Sequence, residues 1–204
     1  MQATKAKNPD CYREGTKENE GLTEKKSNPT SSTSCPTSLN FVAQAEKLYE
    51  TIMEKINIPE IKLTGIKLKH KTTNENGQSS IDCGSLWQKF ENENYVERIS
   101  DKSGDEIYAV YFEYEGDHTK PFSYFIGCKV KMDAEVPQEM DQLIIPAGSY
   151  TKVVAKGKMP DCVANAWRDI WSSIADRAYK YDFEIYDDRS KDWSNAEVEL
   201  FISL

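Results

Sequence analysis

The sequence predicts an α+β domain of duplicated strand-helix-strand-strand units related by a pseudo-twofold, with an extra N-terminal helix before it. Three observations predict it. Apolar residues alternate with a period of two in some segments and recur at helical spacing in others. The order strand, helix, strand, strand occurs twice along the chain, with little direct identity between the two occurrences. Large aliphatic side chains become regular only after residue 38.

Residues 1–38 are rich in Lys, Glu, Ser, Thr, Asn and Pro. Such a segment cannot bury enough apolar area to offset its chain entropy, and a disordered polar tail is expected. Residues 39–57 carry Phe41, Ala45, Leu48, Ile52 and Ile56 at helical spacing, with Val42, Tyr49 and Met53 widening the stripe. Pro59 limits the continuation of this amphipathic helix. Its apolar face serves either to pack on the main domain or to make a dimer or partner contact.

The main domain is expected over residues 58–204. Ile61 to Lys69 alternates apolar and basic residues as a half-buried strand does. Asn74 to Gly77 marks a loop. Ser79 to Arg98 reads as a helix with Ile81, Leu86, Phe90 and Trp87 toward the core. Ile107–Tyr114 and Tyr124–Val130 are strand-like and are separated by a Gly/Lys/Pro loop. In the second unit, Gly148–Ala155 is a strand, and Pro160 opens a helix that runs to Asp176. Val163, Trp167, Ile170, Trp171 and Ile174 form that helix's apolar stripe. Phe183–Tyr186 and Ala196–Ile202 close the domain as strands.

The formal net charge is −8, and residues 1–57 contribute nothing to it, with eight basic and eight acidic side chains. The whole acidic excess sits on the predicted domain, a surface that repels phosphate backbones, so direct nucleic-acid binding is not expected. Cys11, Cys35, Cys83, Cys128 and Cys162 are scattered without a Cys-x-x-Cys spacing, which argues against a disulfide framework or a zinc site. His70 and His118 form no pattern with an acid or nucleophile, and no Gly-rich phosphate loop is present. No cofactor is expected. No apolar run of signal-peptide or membrane-spanning character occurs, so a cytoplasmic protein without membrane contact is expected.

Glu184 stands out, an acid among Tyr181, Phe183 and Tyr186, preceded by Trp167 and Trp171 four residues apart on one helix. A carboxylate beside ring faces suits a cationic or amphipathic small molecule. Burial by the same rings would raise its pKa, which suits proton transfer equally. Strand alternation puts Glu184 with Asp182 and Tyr186 on one face, and puts Phe201 with Glu197 and Glu199 on one face of the last strand. The aliphatic faces are expected to meet the helices, leaving the acid-and-aromatic faces toward solvent or a pocket.

Leu86-Trp87-Gln88-Lys89-Phe90, Ile126-Gly127-Cys128, Ile145-Pro146-Ala147-Gly148-Ser149-Tyr150, Trp167-Arg168-Asp169-Ile170-Trp171, Phe183-Glu184-Ile185-Tyr186 and Glu197 to Ile202 occur in that order. Together they resemble the gyrase-inhibitor-like, AraC-type effector-binding domain, including its integron-associated subgroup, from Ile58 to Leu204. The resemblance implies a small-molecule groove between two halves with the acid of the Phe-Glu-x-Tyr segment, Glu184, at its base. It implies Tyr111 as a further wall residue, beside Trp167, Trp171, Tyr186 and Phe201. Members fused to DNA-binding domains regulate transcription; with no such segment recognised here, a standalone small-molecule effector-binding protein is expected. One branch implies an alternative, a hydrolase opening strained cyclopropane rings with Glu184 and Tyr111 as its chemistry. A third reading is an acidic interaction or inhibitor protein that covers a basic partner.

Overall fold

The computed structural model describes residues 54–204. The predicted tail and residues 39–53 of the predicted helix lie outside the described residues. The helical reading overran its segment at the other end: Glu54–Ile58 is a strand, β1. Ile56 continues the helical spacing from Ile52, but with Ile58 it also satisfies a period of two, which is the pattern the strand uses.

The remaining elements are β2 (Ile61–Lys67), α1 (Gln78–Asn92), α2 (Tyr95–Arg98), β3 (Lys102–Phe112), β4 (Ser123–Val130), β5 (Asp141–Ile145), β6 (Gly148–Gly157), α3 (Asp161–Ser173), β7 (Tyr181–Tyr186) and β8 (Ala196–Ser203). The helix expected from Ser79 to Arg98 is broken at Asn94, whose φ of 52° is left-handed and interrupts helical bonding. Ile81 was expected in the core but is exposed. It sits near the start of α1, where the helix's buried residues are Leu86 and Phe90.

The eight strands form one antiparallel sheet in the order β1-β6-β8-β7-β3-β4-β2-β5. The order reads the same from both ends when β1–β4 exchange with β5–β8. The two edge strands cross over: β1 pairs with β6, and β5 pairs with β2.

The sheet is curled, and its two faces are buried in different ways. Ile56, Ile58, Leu63, Val110, Phe125, Leu143, Tyr150, Phe183 and Phe201, drawn from all eight strands, belong to one cluster that contains no helical residue. Among the described residues, the concave face of the sheet is covered by its own side chains and by no helix. β2 and β4 approach closely within it. A Cβ on Gly65 would lie 2.0 Å from the Ile126 carbonyl oxygen, so only glycine fits there. The convex face carries both long helices. Leu86 and Phe90 of α1 pack with Ile66, Ala109, Tyr124 and Ile126. Val163, Ala166, Trp167 and Ile170 of α3 pack with Val198, Leu200 and Ile202.

This arrangement corrects one expectation. The aliphatic face of β8 does meet a helix, but on β7 the assignment is reversed. Glu184 is register partner to Ala109 on one side and Leu200 on the other, so it shares the helix-bearing face. Phe183 pairs with Phe201 on the concave face.

Candidate functional site

β7 is central in the sheet, and Glu184 projects from it beneath the seam between α1 and α3, with 1% of its surface exposed. Its flanking register partner Ala109 is small and leaves room for larger side chains from further along the strands. Three of these donate to the carboxylate. Tyr111 from β3 donates to Oε1 at 3.0 Å, and Trp167 from α3 donates its indole N–H to the same oxygen at 2.5 Å. Tyr186, two residues along β7, donates to Oε2 at 2.6 Å. All three donors are neutral. Among the described residues no cation pairs with Glu184.

A chain of rings continues from these donors. Tyr111 lies 4.9 Å from both Tyr124 and Trp167, centre to centre. Trp87 of α1 donates its indole N–H to the Tyr124 hydroxyl at 2.9 Å and meets Tyr186 edge-on at 5.0 Å. The buried acid is thus spanned from one helix to the other by aromatic groups, of which Trp87, Tyr111 and Tyr186 are only half-buried. Cys83 of α1 packs at the margin of this cluster.

Desolvation is the largest influence on Glu184 and raises its pKa from the ordinary value of 4.5; the bonds from Trp167, Tyr186 and Tyr111 oppose the rise without cancelling it. Burial, then the charge of Glu184, pushes the Tyr111 phenol well up, so it remains a donor. The consequence for stability has a definite sign. Above pH 4.5 the folded state holds this proton more tightly than the unfolded chain, so stability from this group is lost as pH rises through the raised value. Glu184→Gln removes that dependence. Urea midpoints of the two proteins, compared at successive pH values, are expected to shift progressively in favour of the glutamine variant as pH increases. A constant difference would contradict the assignment.

A second buried acid lies two residues away on the same face. Asp182 is fully buried and forms an ion pair with Arg177 at 2.7 Å, both side chains being at most 1% exposed. It also accepts from the Tyr114 hydroxyl at 2.9 Å and from the backbone N–H and hydroxyl of Ser203 at 2.7 and 2.9 Å. Arg177 lies over the Tyr179 ring at 4.4 Å and the Trp167 ring at 5.6 Å.

Of the residues singled out from sequence, Glu184, Tyr111, Trp167 and Tyr186 come together. Trp171 is one turn beyond Trp167 and stacks on His118, with centres 5.1 Å apart and planes 8° from parallel; it is not among the carboxylate's donors. Phe201 does not join the site. It stacks on Phe183 at 4.8 Å on the opposite face of the sheet. Tyr124, Trp87, Cys83 and Arg177 join or adjoin the site without a place in the sequence-based assignment. Tyr124 had a usable signal: a hairpin joining β3 to β4 brings it directly opposite Tyr111.

A surface depression of about 350 Å³, bounded by Met159, Pro160 and Trp193 among others, shares no residue with this cluster. Among the described residues, no group of three or more His, Cys, Asp or Glu is placed to hold a metal ion. No helix among them is long and apolar enough to cross a membrane.

Comparisons with known proteins agree on a family and a fold. The family model described as integron-associated effector binding protein matches residues 42–204. An integron cassette protein from the mobile metagenome of Vibrio cholerae is 29% identical, with a TM-score of 0.57 over 74% of this chain and 95% of that one. The SAV2435 protein, solved bound to tetraphenylphosphonium, has a TM-score of 0.61 at 19% identity, covering 74% of this chain and 92% of its own. The transcription-regulator-like protein YobU of Bacillus subtilis is 23% identical over 124 residues, 59% of this chain and 78% of that protein.

Proposed function

The chain belongs to the integron-associated effector-binding family, and from that premise we propose that it is a receptor for a small organic cation, anchored by the Glu184 carboxylate. One observation carries the reading: a buried acid held by three neutral donors, with no cation against it among the described residues. A carboxylate in that state has paid its desolvation penalty and attracts a cation more strongly than an exposed one. The half-buried faces of Trp87, Tyr111, Tyr186 and Trp171 supply apolar area and cation–π attraction worth about 0.5–2 kcal/mol per favourable ring. The ligand lies in the groove between α1 and α3, against Trp167 and its neighbouring rings. The tetraphenylphosphonium on SAV2435 supports the same chemistry, since that cation is bulky, aromatic and delocalised.

Titration with tetraphenylphosphonium and related lipophilic cations tests this. Glu184→Gln preserves size and a hydrogen-bond acceptor but removes the charge, and is expected to weaken binding by about 1–3 kcal/mol, roughly 5- to 150-fold. Equal binding by both proteins, or none by either, would sink the reading.

A second reading is carried by the raised pKa of Glu184 beside the Tyr111 hydroxyl, a pairing suited to general-base chemistry on a strained electrophile. Consumption of a cyclopropane-bearing compound, with a rate that rises as Glu184 deprotonates, would favour it. Absence of turnover with cation binding intact leaves the receptor reading.

A further inference from the structure

The two acids on the helix-bearing face of β7 are served differently, and Trp167 links them. The edge of its indole donates to Glu184 at 2.5 Å, while its ring lies 5.6 Å from the guanidinium of Arg177. Arg177 is buried on every side, yet its Nη2 alone is engaged, on Asp182. Among the described residues, its Nε and Nη1 meet no acceptor. Asp182 cannot serve them further. Its Oδ1 already accepts the Ser203 backbone N–H and hydroxyl, and its Oδ2 accepts Tyr114 and Arg177. Buried donors are ordinarily satisfied, and one left unpaired beside a binding site points to a ligand acceptor. A planar guanidinium with free N–H groups matches carboxylate oxygens best, through charge-assisted bonds.

We propose that the ligand is amphoteric. A delocalised or ammonium cation meets Glu184, an aromatic body lies along Trp167, and a carboxylate takes the free donors of Arg177. The cation meets the unpaired charge of Glu184, and one indole away the carboxylate meets the guanidinium donors that Asp182 leaves unused. The ligand's carboxylate joins the Arg177–Asp182 pair as its third member, and its cation balances Glu184. This extends the reading of Glu184 as the cation anchor and rests on it.

Rhodamine B and its ethyl ester share one cationic ring system and differ in a free carboxylate, and fluorescence polarisation reads the affinity of each. Wild-type protein is expected to bind the acid about tenfold or more tightly than the ester. Arg177→Lys keeps a charge beside Asp182 but loses the planar donors, and should bring the two dyes to near parity. Glu184→Gln should weaken both. Equal affinity of the two dyes for wild-type protein overturns the proposal whether or not the lysine variant folds. An acid preference that persists undiminished in folded Arg177→Lys also overturns it. If the ester binds and Glu184→Gln weakens it while the carboxylate adds nothing, the Arg177 contact alone fails. If the ester does not bind, or binds regardless of Glu184, the cation anchor itself fails.

Discussion

Replacing Asp182 with alanine is expected to lower folding stability by about 3–5 kcal/mol, because it leaves the guanidinium of Arg177 charged, buried and unpaired. The figure belongs to breaking the pair and not to its net contribution, since a well-packed apolar replacement of both partners is often nearly neutral. The Arg177 side chain is 1% exposed, and among the described residues no other acid is bonded to it. The same substitution strands the Tyr114 hydroxyl and the backbone N–H of Ser203, so the end of β8 loses its tie to β7. Asp182→Asn retains an acceptor oxygen and should recover part of the loss. Urea denaturation followed by circular dichroism measures both. An alanine variant as stable as the parent would show that Arg177 reaches solvent when released.

Phe201→Ala is expected to be about as damaging, about 3–5 kcal/mol, by leaving a cavity in the concave core. Phe201 is buried, stacks on Phe183, and lies in a cluster that holds no helical side chain among the described residues. Its expected effect on ligands is the informative part. Because the sheet separates it from Glu184, the folded fraction of Phe201→Ala should bind lipophilic cations within about twofold of wild type, well inside the tenfold that corresponds to 1.4 kcal/mol. A loss comparable to that of Glu184→Gln would return Phe201 to the ligand wall and overturn the assignment of faces.

Phe201 also marks where sequence reasoning stops. Alternation correctly placed Glu184, Asp182 and Tyr186 on one face of β7. It could not say which face met the helices, because Asp182, Phe183 and Glu184 are all buried. In a flat two-layer domain the polar face of a strand is the wet one; in a curled sheet both faces are dry and the inference loses its footing. β8 read correctly because the side chains toward α3, Val198, Leu200 and Ile202, are aliphatic. β5 escaped notice because Asp141–Ile145 is a short edge strand lying just before Pro146, and so gives little periodicity to count. Arg177 was invisible for another reason. Its environment comes from Tyr114 just after β3, from α3, β7 and the loop holding Tyr179, and a charged residue near a helix end carries no local mark of burial. Glu184, Trp167 and Tyr186 were legible because an acid stands among aromatic side chains within one short stretch, whereas Tyr111, far from it in the chain, was reached only through the family resemblance.

The crossed edge strands bear on how the chain can be divided. β1 precedes β2 in sequence but completes the sheet beside β6, while β5 precedes β6 and completes it beside β2. A cut in the connection after β4 would give two pieces, each lacking its outer strand and carrying the other's. Neither piece has a finished sheet edge to fold around, yet together they hold every pairing of the intact chain. Interlocking of this kind makes the domain a natural candidate for a two-fragment reporter, in which reassembly restores the Glu184 seam and, on the receptor reading proposed above, a ligand bound there would hold the fragments together.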